Sequence, residues 1–271
     1  MMDAAKLRLA HVGKRFQSGS AAATVAVDDF TLDVAQGEFL VIVGPSGCGK
    51  TTVLNMLAGL ERPSSGTVSL DGREIVGPGP ARGVMFQDYA LFPWHTGRGN
   101  VGFGLRHGPP GYGLSSESRA RRVRDCIELV GLNGAEDKYP HQLSGGMRQR
   151  VALARLMANE PEVLLMDEPL AALDAQTRLI LQDELLRIWG QDSPASVRRT
   201  VVFITHAIDE AVFLADRIAV MTTNPGRLKA LIDVPLPRPR NDATRASAEF
   251  QALSQHIWSL IRDEAYRATV T

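Results

Sequence analysis

The sequence predicts an α/β fold built on a parallel sheet. Three observations predict it. Apolar runs too short for helices alternate with longer stretches of helical spacing; a glycine-rich turn, Gly44–Thr51, joins one such run to a helix; and another run, Val163–Met166, ends in two acids, Asp167 and Glu168. The 271 residues carry 30 Lys+Arg against 30 Asp+Glu, so the formal net charge is zero, with 44% hydrophobic and 22% charged residues. A chain of this size can bury a substantial core. The zero balance argues against a general nucleic-acid binder, which needs a net basic surface, and leaves room for a local basic patch.

Residues 6–43 alternate apolar and polar positions in short runs (Leu7–Leu9, Val25–Val34, Phe39–Val43) punctuated by Gly19 and Gly37, the pattern of strands joined by turns. From Lys50 the spacing becomes helical, with Val53, Leu54, Leu57, Ala58 and Leu60 on one side, until Pro63 and Ser64-Ser65-Gly66 stop it. Short strands are expected at Val68–Leu70 and Val84–Phe86. Gly108, Pro109, Pro110, Gly111 and Gly113 mark a loop over 106–116, followed by a helix over 117–130 with Val123, Ile127 and Val130 inward. A further helix runs from 145 to 159, before Pro161. Val163–Met166 suits a buried parallel strand. Helix 175–190, strand 200–204, helix 207–215 and strand 217–221 then alternate, and 87–160 reads as an inserted helical subdomain. The Pro/Arg-rich stretch 235–242 reads as a linker, 191–199 as a surface loop, and 244–264 as a last helix packing Phe250, Leu253, Ile257, Trp258 and Ile261 against the sheet domain or a partner.

Cys48 and Cys126 cannot make a disulfide framework, which fits a reducing compartment. Met1–Leu7 has no apolar run behind Lys6, so no secretory signal is expected. No stretch approaches the ~18–20 apolar residues of a membrane span. The chain reads as soluble, and a membrane role would come through a partner.

Gly44-Pro45-Ser46-Gly47-Cys48-Gly49-Lys50-Thr51 matches G-x-x-x-x-G-K-[ST] between a strand and a helix, the context that gives the pattern its meaning. The glycines let successive N–H groups face a phosphate, and the helix start adds partial positive charge. Lys50 brings a full charge to the β- and γ-phosphates and Thr51 a hydroxyl to Mg2+. Cys48 reads as small filler within the loop. Carboxylates ending a buried strand need a partner; beside a phosphate loop, Asp167 would hold Mg2+ through water and Glu168 would polarise the attacking water. His206 follows a strand at the edge where parallel sheets place ligands, within reach of the γ-phosphate. Ser144-Gly145-Gly146 opens the helix from 145 and makes a second anion-binding cap. The two helix starts, Gly49 and Gly145, lie 96 residues apart (145 − 49). A head-to-tail pair of chains would build two composite sites, each from one chain's loop and the other's cap.

With these motifs in this order, residues 6–235 resemble the nucleotide-binding subunit of an ABC transporter. Gly44–Thr51 resembles the Walker A loop, and Thr52 follows it on the phosphates. Gln87 resembles the Q-loop glutamine that senses the γ-phosphate and Mg2+. Ser144-Gly145-Gly146 resembles the signature, Asp167 and Glu168 the Walker B aspartate and catalytic glutamate, Ala172-Leu173-Asp174 the D-loop, and His206 the switch histidine. Phe16, after Lys14-Arg15, matches the aromatic that stacks on adenine, although a Phe at a strand end also serves as core. Met147, Ala171 and Ala207 depart from the usual pattern; none removes a charged catalytic group.

The resemblance implies a P-loop NTPase with a RecA-like parallel-sheet core, an antiparallel β subdomain and an inserted α-helical subdomain. It also implies MgATP as substrate and a homodimer bound to two membrane permeases at the cytoplasmic face of the inner membrane. Tyr89–Trp94, very apolar for a loop, reads either as subdomain core or as the permease docking surface. Phe92-Pro93-Trp94 and Thr223-Asn224-Pro225-Gly226-Arg227 resemble the nitrate/sulfonate/taurine import subfamily, which implies an extracytoplasmic solute-binding protein. About 45 residues follow Arg227, too few for the regulatory β-domain of sugar-type importers. Two other classes compete. An ABC-type ATPase acting on nucleic acid usually carries two cassettes or long insertions, and this chain has one cassette and no CxxC pair. A P-loop kinase for a small acceptor would not need Leu143-Ser144-Gly145-Gly146.

Overall fold

A computed structural model describes residues 5–17, 23–108 and 113–270. Gly19, Pro109, Pro110, Gly111 and the stretch 1–4 lie outside the described residues. Two sheets organise the chain. The first is antiparallel, in the order β2 (Thr24–Val34), β1 (Leu7–Phe16), β4 (Ser65–Leu70), β5 (Arg73–Glu74). The second has the order β10 (Leu228–Asp233), β9 (Arg217–Met221), β3 (Phe39–Val43), β8 (Thr200–Ile204), β7 (Val163–Asp167), β6 (Arg82–Met85). From β9 to β6 it is parallel; β10 runs antiparallel to β9.

Every residue of β3, β7 and β8 is buried. That is why these strands read as continuous apolar runs: both faces of a parallel sheet are covered. Alternate side chains enter two cores, as a period of two requires. Phe39, Val41, Val43, Leu164, Met166, Val201 and Phe203 enter one. Leu40, Ile42, Val163, Leu165, Val202 and Ile204 enter the other, with Val53, Leu54 and Leu57 of α1 (Lys50–Ala58). The parallel register sets the carboxyl ends of β3, β8, β7 and β6 side by side: Ile42 faces Ile204, Ile204 faces Asp167, and Met166 faces Met85. This edge carries the site.

Between β6 and β7 lie α2 (Gly97–Val101), α3 (Phe103–His107), α4 (Ser116–Leu129) and α5 (Gly145–Ala158). After β7 come α6 (Ala175–Trp189), α7 (Ile208–Leu214), α8 (Asp242–Arg245) and α9 (Ala248–Val270). Among the described residues no helix is long and apolar enough to cross a membrane.

Several expectations need correction. Leu60 does not continue α1: Gly59 turns left-handed at φ 78° and ends the helix, leaving Leu60 48% exposed. The stretch 235–242 connects β10 to α8 without regular structure, and it is pinned to the fold. Arg240 is buried and its guanidinium donates to five backbone carbonyls, of Val212, Phe213, Ala215, Val234 and Leu236. The last helix is two, α8 and α9, and Trp258 points outward at 56% exposure while Phe250 and Ile257 are buried. The 191–199 stretch is a surface loop as expected, with Val197 71% exposed, and it is anchored where the Ala195 carbonyl lies against Gly37 and the Trp189 indole donates to the Arg199 carbonyl at 2.8 Å. The helices α2 and α3 and the strand β10 were not foreseen. The first two span five residues each, too few to show a helical period.

Candidate functional site

The turn after β3 is built by its glycines. Gly47 and Gly49 are left-handed, at φ 75° and 94°, where a side chain would strain the backbone. A Cβ on Gly49 would also sit 2.8 Å from the Ala26 carbonyl oxygen of β2, so the antiparallel sheet closes one side of the loop. The turn Thr223–Arg227 closes another: a Cβ on Gly226 would meet the Cys48 carbonyl oxygen at 2.1 Å. Gly226 N–H donates to the Ala26 carbonyl and Asp28 N–H to the Gly226 carbonyl, at 3.1 and 3.0 Å. Cys48 is buried, and burial pushes its thiol pKa up, consistent with filler. Lys50 Nζ donates to the Gly44 and Pro45 carbonyls at 2.8 and 2.9 Å. It also lies 3.9 Å from Cys48 Sγ, a weak acceptor.

Asp167 ends β7 and is 8% exposed. Burial pushes its pKa up and the neighbouring Glu168 charge adds to this; a hydrogen bond from Thr51 and the charge of Lys50 oppose it. A carboxylate in this position gains from a nearby cation. Glu168 carries the sheet one residue further, its N–H donating to the Ile204 carbonyl at 3.0 Å, and then turns left-handed at φ 45°. For a non-glycine residue before proline that conformation costs about 1–2 kcal/mol. It leaves the side chain partly exposed, with Oε2 3.3 Å from His206 Nδ1 on the neighbouring strand end.

Gln87, beyond β6, is exposed on the same edge. The loop after it is shaped by two left-handed residues, Tyr89 (φ 62°) and Ala90 (φ 43°). Arg155 of α5 holds both, donating to the Tyr89 and Ala90 carbonyls at 2.6 and 2.7 Å, with its guanidinium 5.7 Å from the Phe92 ring centroid. The two readings of Tyr89–Trp94 divide within the segment: Tyr89 is buried in the core, and Trp94 is 67% exposed. Beside it runs a groove of about 700 Å³ lined by Pro78, Phe86, Phe92, Phe103 and Leu156.

Phe16 is 40% exposed at the end of β1, with Lys14 Nζ 4.9 Å from its ring centroid. It pairs with Thr24, two residues along β2 from Ala26. Ser46 is exposed on the phosphate loop and Thr52 half-buried at the start of α1.

Ser144 caps α5, accepting from Met147 N–H at 3.3 Å, so the departure at Met147 keeps the cap's backbone bond. The cap is not next to the phosphate loop. Gly145 lies against Leu173 and Ala172, and Gly146 against Thr177 of α6. Asp174 caps α6, accepting from Thr177 N–H at 2.9 Å, a bond that holds its carboxyl below the usual range. The structure therefore brings Gly44–Thr52, Gln87, Asp167, Glu168 and His206 to one sheet edge, and Ser144–Gly146 to the D-loop segment. The sequence carries no sign of Ala26 or Arg155 as supports, and it marks Gly226 only within the subfamily resemblance at Thr223–Arg227. Only Gly226, a glycine in a Pro-Gly turn, carried a local signal.

Residues 27–171 match the family described as ABC transporter. An uncharacterized ABC transporter ATP-binding protein of Methanocaldococcus jannaschii is 50% identical over 243 residues, covering 90% of this chain and 86% of its own. The aliphatic sulfonates import ATP-binding protein of Bacillus licheniformis is 46% identical, covering 90% and 89%, and the nitrate import ATP-binding protein of Synechococcus elongatus 48%, covering 80% and 77%. A solved dimeric ATP-binding cassette in a post-hydrolysis state, bound to ADP and Pi, superposes with a TM-score of 0.72 at 31% identity, covering 84% of this chain and 98% of that one. Phosphate loop, strand-end acids and relatives agree, and the chain belongs to the ABC transporter ATP-binding family, as an ATPase.

Proposed function

We propose that this chain hydrolyses MgATP at a dimer interface to drive an importer of small oxyanions such as nitrate, sulfonates or taurine. The observation that carries the reading is the juxtaposition of Glu168 and His206 beside the phosphate loop, in a chain whose relatives include sulfonate and nitrate import proteins. We place the cassette at 6–235, with the helical insertion at about 87–160, and a tail at 236–271.

Phe16 stacks on adenine. Gly44, Pro45, Ser46, Gly47, Cys48 and Gly49 wrap the phosphates, and Thr52 adds a contact. Lys50 exchanges its weak sulfur contact for a phosphate oxygen. Among the described residues no three His, Cys, Asp or Glu side chains are placed to hold a metal. The Asp167 carboxylate, Thr51 hydroxyl and Gln87 amide oxygen are instead a sparse set of hard donors, which fits Mg2+, an ion that keeps water and phosphate oxygens in its shell. When bound it neutralises charge on the phosphates. His206 engages Glu168 Oε2, which leaves Oε1 to orient water in line with the γ-phosphate and take its proton.

Because the chain's own Ser144, Gly145 and Gly146 lie against its D-loop segment, the cap over the γ-phosphate comes from a second copy. Asp174 holds α6 beside that junction. Closing and opening of the pair move two membrane permeases docked near Tyr89–Trp94, at the cytoplasmic face of the inner membrane. An extracytoplasmic solute-binding protein delivers the solute, and nucleic acid is not a partner. The test is uptake. Cells carrying only a Glu168→Gln copy are expected to lose uptake of radiolabelled taurine, an alkanesulfonate or nitrate, with glucose uptake unchanged. Unchanged uptake of all three, with the protein co-sedimenting with ribosomes, would overturn the reading in favour of a nucleic-acid role.

A further inference from the structure

The turn that carries His206 is tied to the D-loop by buried and half-buried groups that no motif includes. Thr205 is 3% exposed and immediately precedes His206. Its hydroxyl accepts from Ala207 N–H at 3.0 Å, bracketing His206, and donates to Glu210 Oε2 at 2.6 Å. Glu210, on the first turn of α7, is 4% exposed. Its other oxygen lies 3.4 Å from Arg178 Nε of α6, an ion-pair distance without an aligned hydrogen bond. Arg178 also donates to the Leu173 carbonyl of the D-loop at 2.9 Å. Gln182, buried one turn further along α6, also favours the charged form of Glu210. A chain of contacts thus runs from Leu173 through Arg178, Glu210 and Thr205 to the residues on either side of His206.

We infer that Glu210 is a positioning residue for hydrolysis: through Thr205 and Arg178 it makes the His206 turn and the D-loop a single unit. The D-loop also touches the signature glycines, with Leu173 and Ala172 against Gly145. A displacement of Ser144–Gly146 therefore reaches His206, and with it the Glu168 carboxylate, through packed and charged groups within one chain. Burial favours the neutral form of Glu210, and Arg178, Thr205 and Gln182 oppose this. Arg178 touches both Glu210 and the Leu173 carbonyl, so moving the D-loop pulls on the brace beside His206. The inference rests on the proposed roles of Glu168 and His206.

The test is steady-state hydrolysis of MgATP by the full chain, below the melting temperature of each variant. Glu210→Gln keeps the acceptor for Thr205 and loses the charge facing Arg178. Thr205→Val keeps the shape and loses the hydroxyl, and Thr205→Ser restores it. Glu210→Gln and Thr205→Val are expected to lower kcat by about tenfold to a hundredfold, the scale of a small misplacement of reacting groups. KM for ATP should stay within about twofold, because no phosphate contact is lost. Thr205→Ser should recover most of the rate. Arg178→Ala with Glu210→Gln should lose no more than the larger single effect, the sign of one shared path. Full kcat in Glu210→Gln and Thr205→Val, or multiplicative losses in the double variant, would overturn the inference. Slow hydrolysis by Glu168→Gln and His206→Ala in the same assay would show that only the inference had failed. Normal hydrolysis by those two would instead remove the mechanism beneath it.

Discussion

His206 Nδ1 lies 3.3 Å from Glu168 Oε2, although 38 residues separate them in sequence (206 − 168). Adjacent parallel strands, β8 and β7, end level with each other, Ile204 facing Asp167, and each side chain leaves its strand just beyond that level. A general base contributes roughly 10²–10⁴-fold. Glu168→Gln is therefore expected to bind ATP normally and hydrolyse it at least about a hundredfold more slowly. Single-turnover hydrolysis with radiolabelled ATP measures this, and a near-normal rate would remove Glu168 from the mechanism.

Lys50→Ala is expected to abolish tight ATP binding, because it removes the charge that spans the loop. Gly226→Ala reaches the same loop from beneath. Its Cβ would fall 2.1 Å from the Cys48 carbonyl oxygen, so backbone must move. Overpacking of this kind costs about 1–3 kcal/mol. Titration with a fluorescent ATP analogue should show weakened binding in both variants, and unchanged affinity in Gly226→Ala would mean that the turn yields without disturbing the loop.

A site completed by a second copy makes specific activity depend on protein concentration. Activity per chain should rise with concentration at the dilute end and level off. Ser144→Arg should hydrolyse slowly at every concentration while each chain still binds ATP. Activity independent of both concentration and Ser144 would favour a self-contained site of the small-acceptor kinase type.

Arg240 closes the carboxyl end of α7, where the Val212, Phe213 and Ala215 carbonyls converge on its Nη1. Arg240→Lys keeps the charge and loses the planar fork that reaches five carbonyls. Stranded buried acceptors cost about 1–3 kcal/mol each before relaxation. A fall of about 2–4 kcal/mol is expected from urea unfolding, with the m-value unchanged. A shift below the error of the extrapolation would mean that water replaces the guanidinium.

Glu38 is buried, and burial pushes its pKa up against the Ala35 N–H bond at 2.7 Å and the Arg217 guanidinium at 3.2 Å. A carboxyl whose pKa is higher folded than unfolded binds more protons in the native state across that window. Stability then falls as pH rises from the ordinary carboxylate range through the raised value. Urea midpoints measured at successive pH values should show a shallower decline in Glu38→Gln than in the parent, and identical slopes would count against the shift.

The sequence by itself determined the strands of the parallel sheet, the phosphate loop and the identities of Asp167, Glu168 and His206. These are local signals. A strand buried on both faces must be apolar throughout, and a turn that offers its N–H groups to phosphate must be glycine. Tertiary structure alone decided what holds those residues in place. Trp258 points outward although its helical spacing argued inward, because the facing surface is set by residues far along the chain. The stretch 235–242, read as a linker from its prolines, is pinned by a buried arginine whose acceptors lie up to 28 residues away. The Thr205–Glu210–Arg178 chain and the Arg155 clamp on Tyr89 and Ala90 left no pattern in sequence. Hydrogen bonds between distant elements need only matching donors and acceptors, and almost any neighbouring residues can flank them.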